Sequence, residues 1–315
     1  PDSGYCQKEG TKDSFLKWYE LSANAADPEV YSEICNMVDI DEYINYMAVE
    51  FYLGGTDWPQ NNIKGFRPRT DNGRFRFVMF DLDGTLATTS PFYTFEGKQN
   101  YTFDYIYDMG GNLTEEIEMV TIFLNMLNND SFRKQFIDTY CMVAGSVFDP
   151  ERCNAIIDEM AARTAPTLAY EGQSPYGTAN QLKNQLANRQ GTMIQALIDY
   201  WRMGLSADTR QEVKIESNVE GASLRINDME IPTEKFSGTL FAPITLKAEP
   251  KAGYKFIGWS SNMATSTKTL IAQEAAWNYY DQGSLDGKSW TATTYSTTTW
   301  KTGKAPLGYY TSDNN

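Results

Sequence analysis

A turn signal followed by an acidic motif constrains the fold of this chain more than any other stretch of its sequence. Asp71-Asn72-Gly73 separates two segments with strand-like patterns, residues 63–69 and 74–80, and Asn-Gly is the strongest short signal for a hairpin turn. The second segment runs directly into Asp81-Leu82-Asp83-Gly84-Thr85. We therefore expect an antiparallel hairpin that ends in two carboxylates.

A helix is predicted shortly before this hairpin. Apolar side chains recur at helical spacing over residues 40–51, and Asp39 and Glu42 have the spacing of a capping box. Gly54-Gly55 should end the helix, because glycine readily adopts the left-handed conformation that closes a helix.

The loop between helix and hairpin carries the pattern Asp57-x-x-x-x-Asn62. In the catalytic loop of protein kinases, Asp at the first of these positions accepts the proton of the substrate hydroxyl and Asn at the second holds a metal ion. A later Asp then binds Mg²⁺ beside the phosphates. Oxygen ligands suit Mg²⁺, which binds few protein groups and keeps several waters. The same pattern is also typical of a polar turn held by side-chain hydrogen bonds.

Composition excludes several classes of function. The 315 residues include no histidine, which rules out Ser-His-Asp and Cys-His catalytic units and histidine-bound zinc. A formal net charge of −14 argues against nucleic acid as the main partner. No run of about 18 apolar residues is present, so no transmembrane segment is predicted.

The cysteines do not form the paired motifs of a zinc site; they are Cys6, Cys35, Cys141 and Cys153. A disulfide between Cys141 and Cys153 and a set of buried free thiols are both compatible with this sequence.

From about residue 113 to 205 the sequence has a helical pattern. We expect Asp130 or Ser131 to cap one helix, Asp149-Pro150 to open another, and a longer helix to cover residues 178–203.

At about residue 210 the composition changes to alternating β patterns and turn residues, which continue over 213–259. The predicted fold class is therefore α+β, a mostly helical domain with a β-hairpin, followed by a small all-β domain. The predicted domains are residues 1–208, 211–262 and 269–315, the last being the start of a β-sandwich.

Several stretches resemble the CotH (spore coat protein H-like) kinase family, in the same order along the chain. They are DIDEYINYMAVEFYLGGTDWPQNNIKGFRPR with RFRFVMFDLDGTL, then LNNDSFRKQFIDTY, then FDPERCNAIIDEM, and they cover about residues 10–205. The resemblance implies an atypical protein kinase with a mostly helical C-lobe that transfers the γ-phosphate of ATP to Ser or Thr of a protein, using Mg²⁺ or Mn²⁺.

The resemblance also assigns site residues by position. Asp57 would be the catalytic Asp, Asn62 and Asp81 would bind the metal and the nucleotide, and Asp83 would be a further metal ligand or orienting group. No Gly-rich strand-loop-strand precedes the predicted helix at Asp39, so we expect the nucleotide-covering lobe to be missing and the chain alone to bind nucleotide weakly. The β segment resembles repeat domains of bacterial surface proteins, which predicts a secreted or cell-surface location.

Two other functions fit parts of the sequence. The segment 77–86 matches the first motif of haloacid-dehalogenase-type phosphatases, with Asp81 as nucleophile and Asp83 as acid/base. That fold needs alternating strands and helices afterwards, whereas the pattern here is helical. A non-catalytic surface protein is the other alternative, in which tryptophans of the C-terminal β segment stack on carbohydrate or simply form a core; these are Trp277, Trp290 and Trp300.

Overall fold

The structure is a computed structural model that describes residues 10–55, 58–59, 61–86, 118–260 and 275–304. The chain divides into two compact units, Pro1–Phe256 and Ile257–Asn315. Within the described residues, no helix combines the length and the apolar character needed to cross a bilayer.

The first unit combines helices with small antiparallel sheets, which agrees with the predicted α+β class. Its helices are α1 (Asp13–Ser22), α2 (Pro28–Met37), α3 (Ile40–Leu53), α4 (Glu118–Met126), α5 (Asp130–Met142), α6 (Pro150–Ala169), α7 (Tyr176–Ala187) and α8 (Arg189–Asp199). A π-helical turn, Val143–Val147, follows α5 directly. Strands β1 (Lys64–Phe66) and β2 (Arg76–Val78) form the predicted hairpin, shorter than its sequence pattern.

Helix α3 is the centre of the helical core. Phe51 contacts Phe123 of α4 and Phe136 of α5, with ring centroids 5.0 and 5.6 Å apart. Nearer the start of α3, Tyr43 meets Trp18 of α1 edge to face at 5.1 Å. Aromatic pairs at these distances add specific geometry to the burial of apolar surface, so α3 is held on several sides.

Two predicted helix boundaries are wrong. Neither Asp130 nor Ser131 caps α5, because the side chain of Asn129 accepts hydrogen bonds from the backbone N–H groups of Ser131 and Phe132. The single helix expected over 178–203 is two helices, since Asn188 leaves the helical conformation between α7 and α8. The opening of α6 is confirmed, with Asp149 accepting from Arg152 N–H and Pro150 in the first turn.

The cysteines that the structure describes are free thiols. Cys141 and Cys153 are both buried and form no disulfide with each other. Burial raises the pKa of both thiols, which keeps them protonated and unreactive.

Two small antiparallel sheets follow the helices within the first unit. Strand β3 (Arg210–Glu216) pairs with β6 (Lys235–Phe241), and β4 (Ser223–Ile226) lies between β5 (Met229–Glu230) and β7 (Leu246–Glu249). Asn227 and Asp228 join β4 to β5 with φ of 49° and 65°, the left-handed pair that two-residue hairpins favour. Residues 250–259, expected to continue the β pattern, carry no strand.

The β segment packs directly on the helices. Phe236 of β6 is fully buried, and the side-chain amide of Gln190 on α8 donates to the carbonyls of Ala144 and Ser237. In the second unit, β8 (Ala276–Tyr279) pairs with β9 (Lys301–Lys304). The predicted domain boundaries and a carbohydrate role for the tryptophans of this unit remain predictions.

Candidate active site

The end of α3 is the point from which the candidate site is built. Gly54 closes the helix in the left-handed conformation, with φ of 65°, and its N–H donates to the carbonyl of Glu50. The loop with the Asp57-x-x-x-x-Asn62 pattern begins immediately afterwards. Thr56 and Asp57 lie outside the described residues, so the role of Asp57 stays a prediction, whereas Gly55 and Trp58 are described.

The residue after Asp57 is anchored on α3. Trp58 is 3% exposed, and its indole N–H donates to the hydroxyl of Tyr46 at 2.8 Å. Its ring also meets Phe51 edge to face, with centroids 5.9 Å apart. A buried indole with a satisfied N–H has one stable position, so this side of the loop is fixed to the helix.

The hairpin docks on the first turn of α3 and corrects the expected capping box. The side chain of Asp39 makes no capping hydrogen bond; it forms an ion pair with Arg76 at 2.8 Å. Glu42 accepts the backbone N–H of Phe77 with both carboxylate oxygens, at 2.9 and 3.1 Å. The backbone N–H of a strand that lies beside the start of a helix needs an acceptor. The carboxylate of Glu42 is that acceptor for Phe77, instead of completing a capping box with Asp39.

The acidic motif after β2 forms a tight turn at the C-terminal end of α3. The hydroxyl of Thr85 donates to the carbonyl of Leu82 at 2.6 Å, and the N–H of Leu86 donates to the carbonyl of Leu53 at 2.9 Å. Asp81 and Asn62 both have left-handed backbones, with φ of 58° and 56°, a conformation in which Asp and Asn are enriched. The carboxylates of Asp81 and Asp83 are exposed.

Gly55 is the place where loop and turn meet. A Cβ at this position would lie 3.5 Å from Trp58 Cβ, 3.7 Å from Thr85 Cγ2 and 3.8 Å from Glu50 Oε2. The residues flanking Asp57 and the turn that begins at Asp81 therefore contact one small region, which we call the Gly55 junction (Glu50, Gly55, Trp58 and Thr85). The structure thus brings together the two segments that the sequence placed 24 residues apart.

Two charged residues at this helix end had not been predicted. Glu50 is 2% exposed, and Arg189 of α8 is 1% exposed and donates through Nε to the carbonyl of Tyr52 at 2.6 Å. Burial lowers the pKa of Arg189. Glu50 could have been noticed as an acid within the apolar stripe of a predicted helix, whereas nothing local to Arg189 indicates its partner.

Burial raises the pKa of Glu50 to about 7, with no offsetting hydrogen bond or cation among the described residues. A carboxyl group whose pKa is raised on folding is destabilising where it must ionise, so stability falls as the pH rises from about 4.5 towards 7. Glu50→Gln should therefore gain about 3 kcal/mol over the wild type between pH 4.5 and pH 8. Urea unfolding of both proteins at the two pH values measures this difference. A difference that does not change with pH would contradict the assignment.

A divalent cation at this helix end would need oxygen donors from the loop and the turn. Among the described residues, no group of three or more acidic or cysteine side chains is placed to hold a metal. Mg²⁺ does not require one, because it binds through one or two carboxylates together with phosphate oxygens and water. The carboxylates of Asp81 and Asp83 are exposed and are oxygen donors of the kind that Mg²⁺ prefers, and a cation shared with Asn62 stays a prediction.

Comparison with protein families identifies residues 3–201 with one family model, described as CotH kinase protein. That range includes the loop, the hairpin and the acidic turn. No curated protein and no solved structure matches the chain.

Proposed function

The chain belongs to the CotH kinase family, and we propose that it transfers the γ-phosphate of ATP to Ser or Thr residues of a protein with the help of Mg²⁺ or Mn²⁺. The observation that carries this proposal is the Gly55 junction. It joins the loop of Asp57 to the turn of Asp81, and phosphoryl transfer depends mainly on such positioning of catalytic and charge-neutralising groups.

The proposed role of each residue follows from its place in the loop or the turn that meet at the Gly55 junction. Asp57 orients the acceptor hydroxyl and takes its proton. Asn62 and Asp81 hold the cation and, through it, the nucleotide, and Asp83 is a further ligand or orients Asp81. A divalent cation held there would offset the negative charge of the triphosphate. We also propose that the fold is that of an atypical kinase C-lobe. The mostly helical core and its β-hairpin support this proposal.

We further propose that the acceptor is a secreted or cell-surface bacterial protein. The support for this is the β segment with its resemblance to surface repeat domains. Carbohydrate binding by Trp277, Trp290 or Trp300 is a separate proposal, supported by exposed indoles at the first two positions.

The phosphatase alternative shares Asp81 but requires different chemistry. In the described residues, β2 pairs with β1 antiparallel, whereas the phosphatase motif follows a strand of a parallel sheet. The two functions differ in product: a kinase leaves phosphate on Ser or Thr, and the phosphatase forms an aspartyl-phosphate on Asp81.

The test uses the 315-residue chain with labelled ATP, Mn²⁺ and a Ser/Thr peptide library, with the chain itself as a second acceptor. We expect acid-stable label on Ser or Thr, and a loss of about a hundredfold or more in Asp81→Asn, since it removes a metal-binding charge. Asp71→Asn, which removes an exposed acid of the hairpin turn, is the matched control and should keep full activity. Hydroxylamine-labile label on Asp81 would support the phosphatase, and wild-type transfer by Asp81→Asn would contradict the proposed role.

A further inference from the structure

Glu50 is a buried acid that the roles above leave unused. Its side chain belongs to the last turn of α3 and is 2% exposed. Among the described residues, the carboxylate of Glu50 forms no ion pair and accepts no hydrogen bond. The carboxylate of Glu42 in the same helix, in contrast, accepts the backbone N–H of Phe77. A buried carboxyl group without a partner is costly to ionise, and a cation close to it would lower that cost.

The position of Glu50 indicates where that cation would lie. Its Oε2 is 3.8 Å from the point where a Cβ on Gly55 would be, and the methyl group of Thr85 is 3.7 Å from the same point. Gly55 is two residues before Asp57, and Thr85 closes the turn that starts at Asp81. The carboxyl group of Glu50 is therefore close to Gly55 and Thr85, which belong to the two segments proposed to hold the reacting groups.

We propose that Glu50 is a positioning residue of the cation site, whose buried negative charge strengthens the binding of a divalent cation by Asn62 and Asp81 without ligating it. This inference rests on the proposed function. Asp81 and Asp83 are exposed, so water screens their charges, whereas a charge enclosed in the protein acts on a nearby cation through a lower dielectric. Glu50 is proposed to act on the cation without binding it directly, which agrees with the lack of a three-carboxylate cluster in the described part of the chain.

A purely structural role makes a different prediction. Glu50→Gln keeps the size and shape of the side chain and removes only its charge, so packing at the Gly55 junction should be preserved. If Glu50 serves packing alone, the variant binds metal like the wild type. If its charge serves the cation, metal affinity falls although the variant is more stable at pH 8, a separation of stability from function that packing cannot produce.

The experiment measures binding of Mn²⁺ alone to the 315-residue chain at pH 8, by the electron paramagnetic resonance signal of free Mn²⁺. We expect Glu50→Gln to bind Mn²⁺ about tenfold more weakly, the usual effect of losing a group just outside the ligand set. Asp138→Asn is the matched control, because Asp138 is a buried acid of α5 paired with Lys134, and it should bind within about twofold of the wild type.

Asp81→Asn separates this inference from the proposed function. Loss of Mn²⁺ binding in Asp81→Asn with wild-type binding in Glu50→Gln would overturn the role of Glu50 and leave the cation site intact. Wild-type binding in Asp81→Asn would contradict the cation site itself. A wild-type chain that binds no Mn²⁺ at millimolar concentration, either alone or with ATP present, would overturn both.

Discussion

Replacing Asp57 by Asn should lower phosphate transfer by about a thousandfold and leave the thermal unfolding temperature unchanged, because the amide cannot take the proton of the acceptor hydroxyl. The loop should keep its position, since Trp58 stays bonded to Tyr46 and Gly55 stays packed at the junction. The assay compares initial rates of transfer from labelled ATP at saturating Mn²⁺.

Two controls make the result of Asp57→Asn specific. Asp71→Asn removes one acid from an exposed turn and should retain the wild-type rate. Mn²⁺ binding by Asp57→Asn should also remain, because Asp57 is proposed to serve the hydroxyl and not the metal. An Asp57→Asn protein with undiminished transfer would remove Asp57 from the mechanism.

Replacing Gly145 by Ala should destabilise the first unit by about 3 kcal/mol, at the upper end of what overpacking costs. A Cβ at Gly145 would lie 2.4 Å from Phe236 Cε2 and 2.7 Å from its Cζ. Phe236 is fully buried and Gly238 approaches from the same side, with its own would-be Cβ 3.2 Å from Gly145 Cα. Because 2.4 Å is far shorter than any real Cβ contact, either the buried ring must shift or the π-helical turn and β6 must separate.

Chemical denaturation of Gly145→Ala measures this effect, with Gly191→Ala as the matched control. Gly191 lies in α8 with nothing within 4 Å of a would-be Cβ, so alanine there should stabilise the helix by about 0.5–1 kcal/mol. Equal stability of Gly145→Ala and the wild type would mean that Phe236 does not pack against the turn as described.

The contact of Gly145 with Phe236 joins residues within the range of the family match to a strand that follows that range. The family match ends at residue 201, yet strands β3 to β7 belong to the same compact unit as the helices. Besides Phe236, the hydroxyls of Ser146 and Thr233 bond each other, and Lys235 bonds Glu151 at 3.0 Å. The β segment is therefore packed on the helical core through apolar, polar and charged contacts.

The local signals of the sequence predicted the elements of the site. The helix before the loop, its glycine end and the hairpin around Asn72-Gly73 are all present, because each depends on side chains a few residues apart. Several of the predictions that failed also concerned local signals, at Asp39, at Asp130-Ser131 and at Asn188. The carboxylate of Asp39 forms an ion pair with Arg76, 37 residues away in sequence, and therefore does not cap the backbone N–H groups of α3.

By itself, the sequence determined the family, the order of the motifs and the chemistry of the candidate groups, because these depend on residue types and their spacing. Only the tertiary structure decided that loop and turn meet at Gly55, that Glu50 is buried close to Gly55, and that Arg189 bonds the last turn of α3. Such contacts join residues far apart in the chain, and the burial that shifts the pKa of Glu50 arises only when all of them are in place.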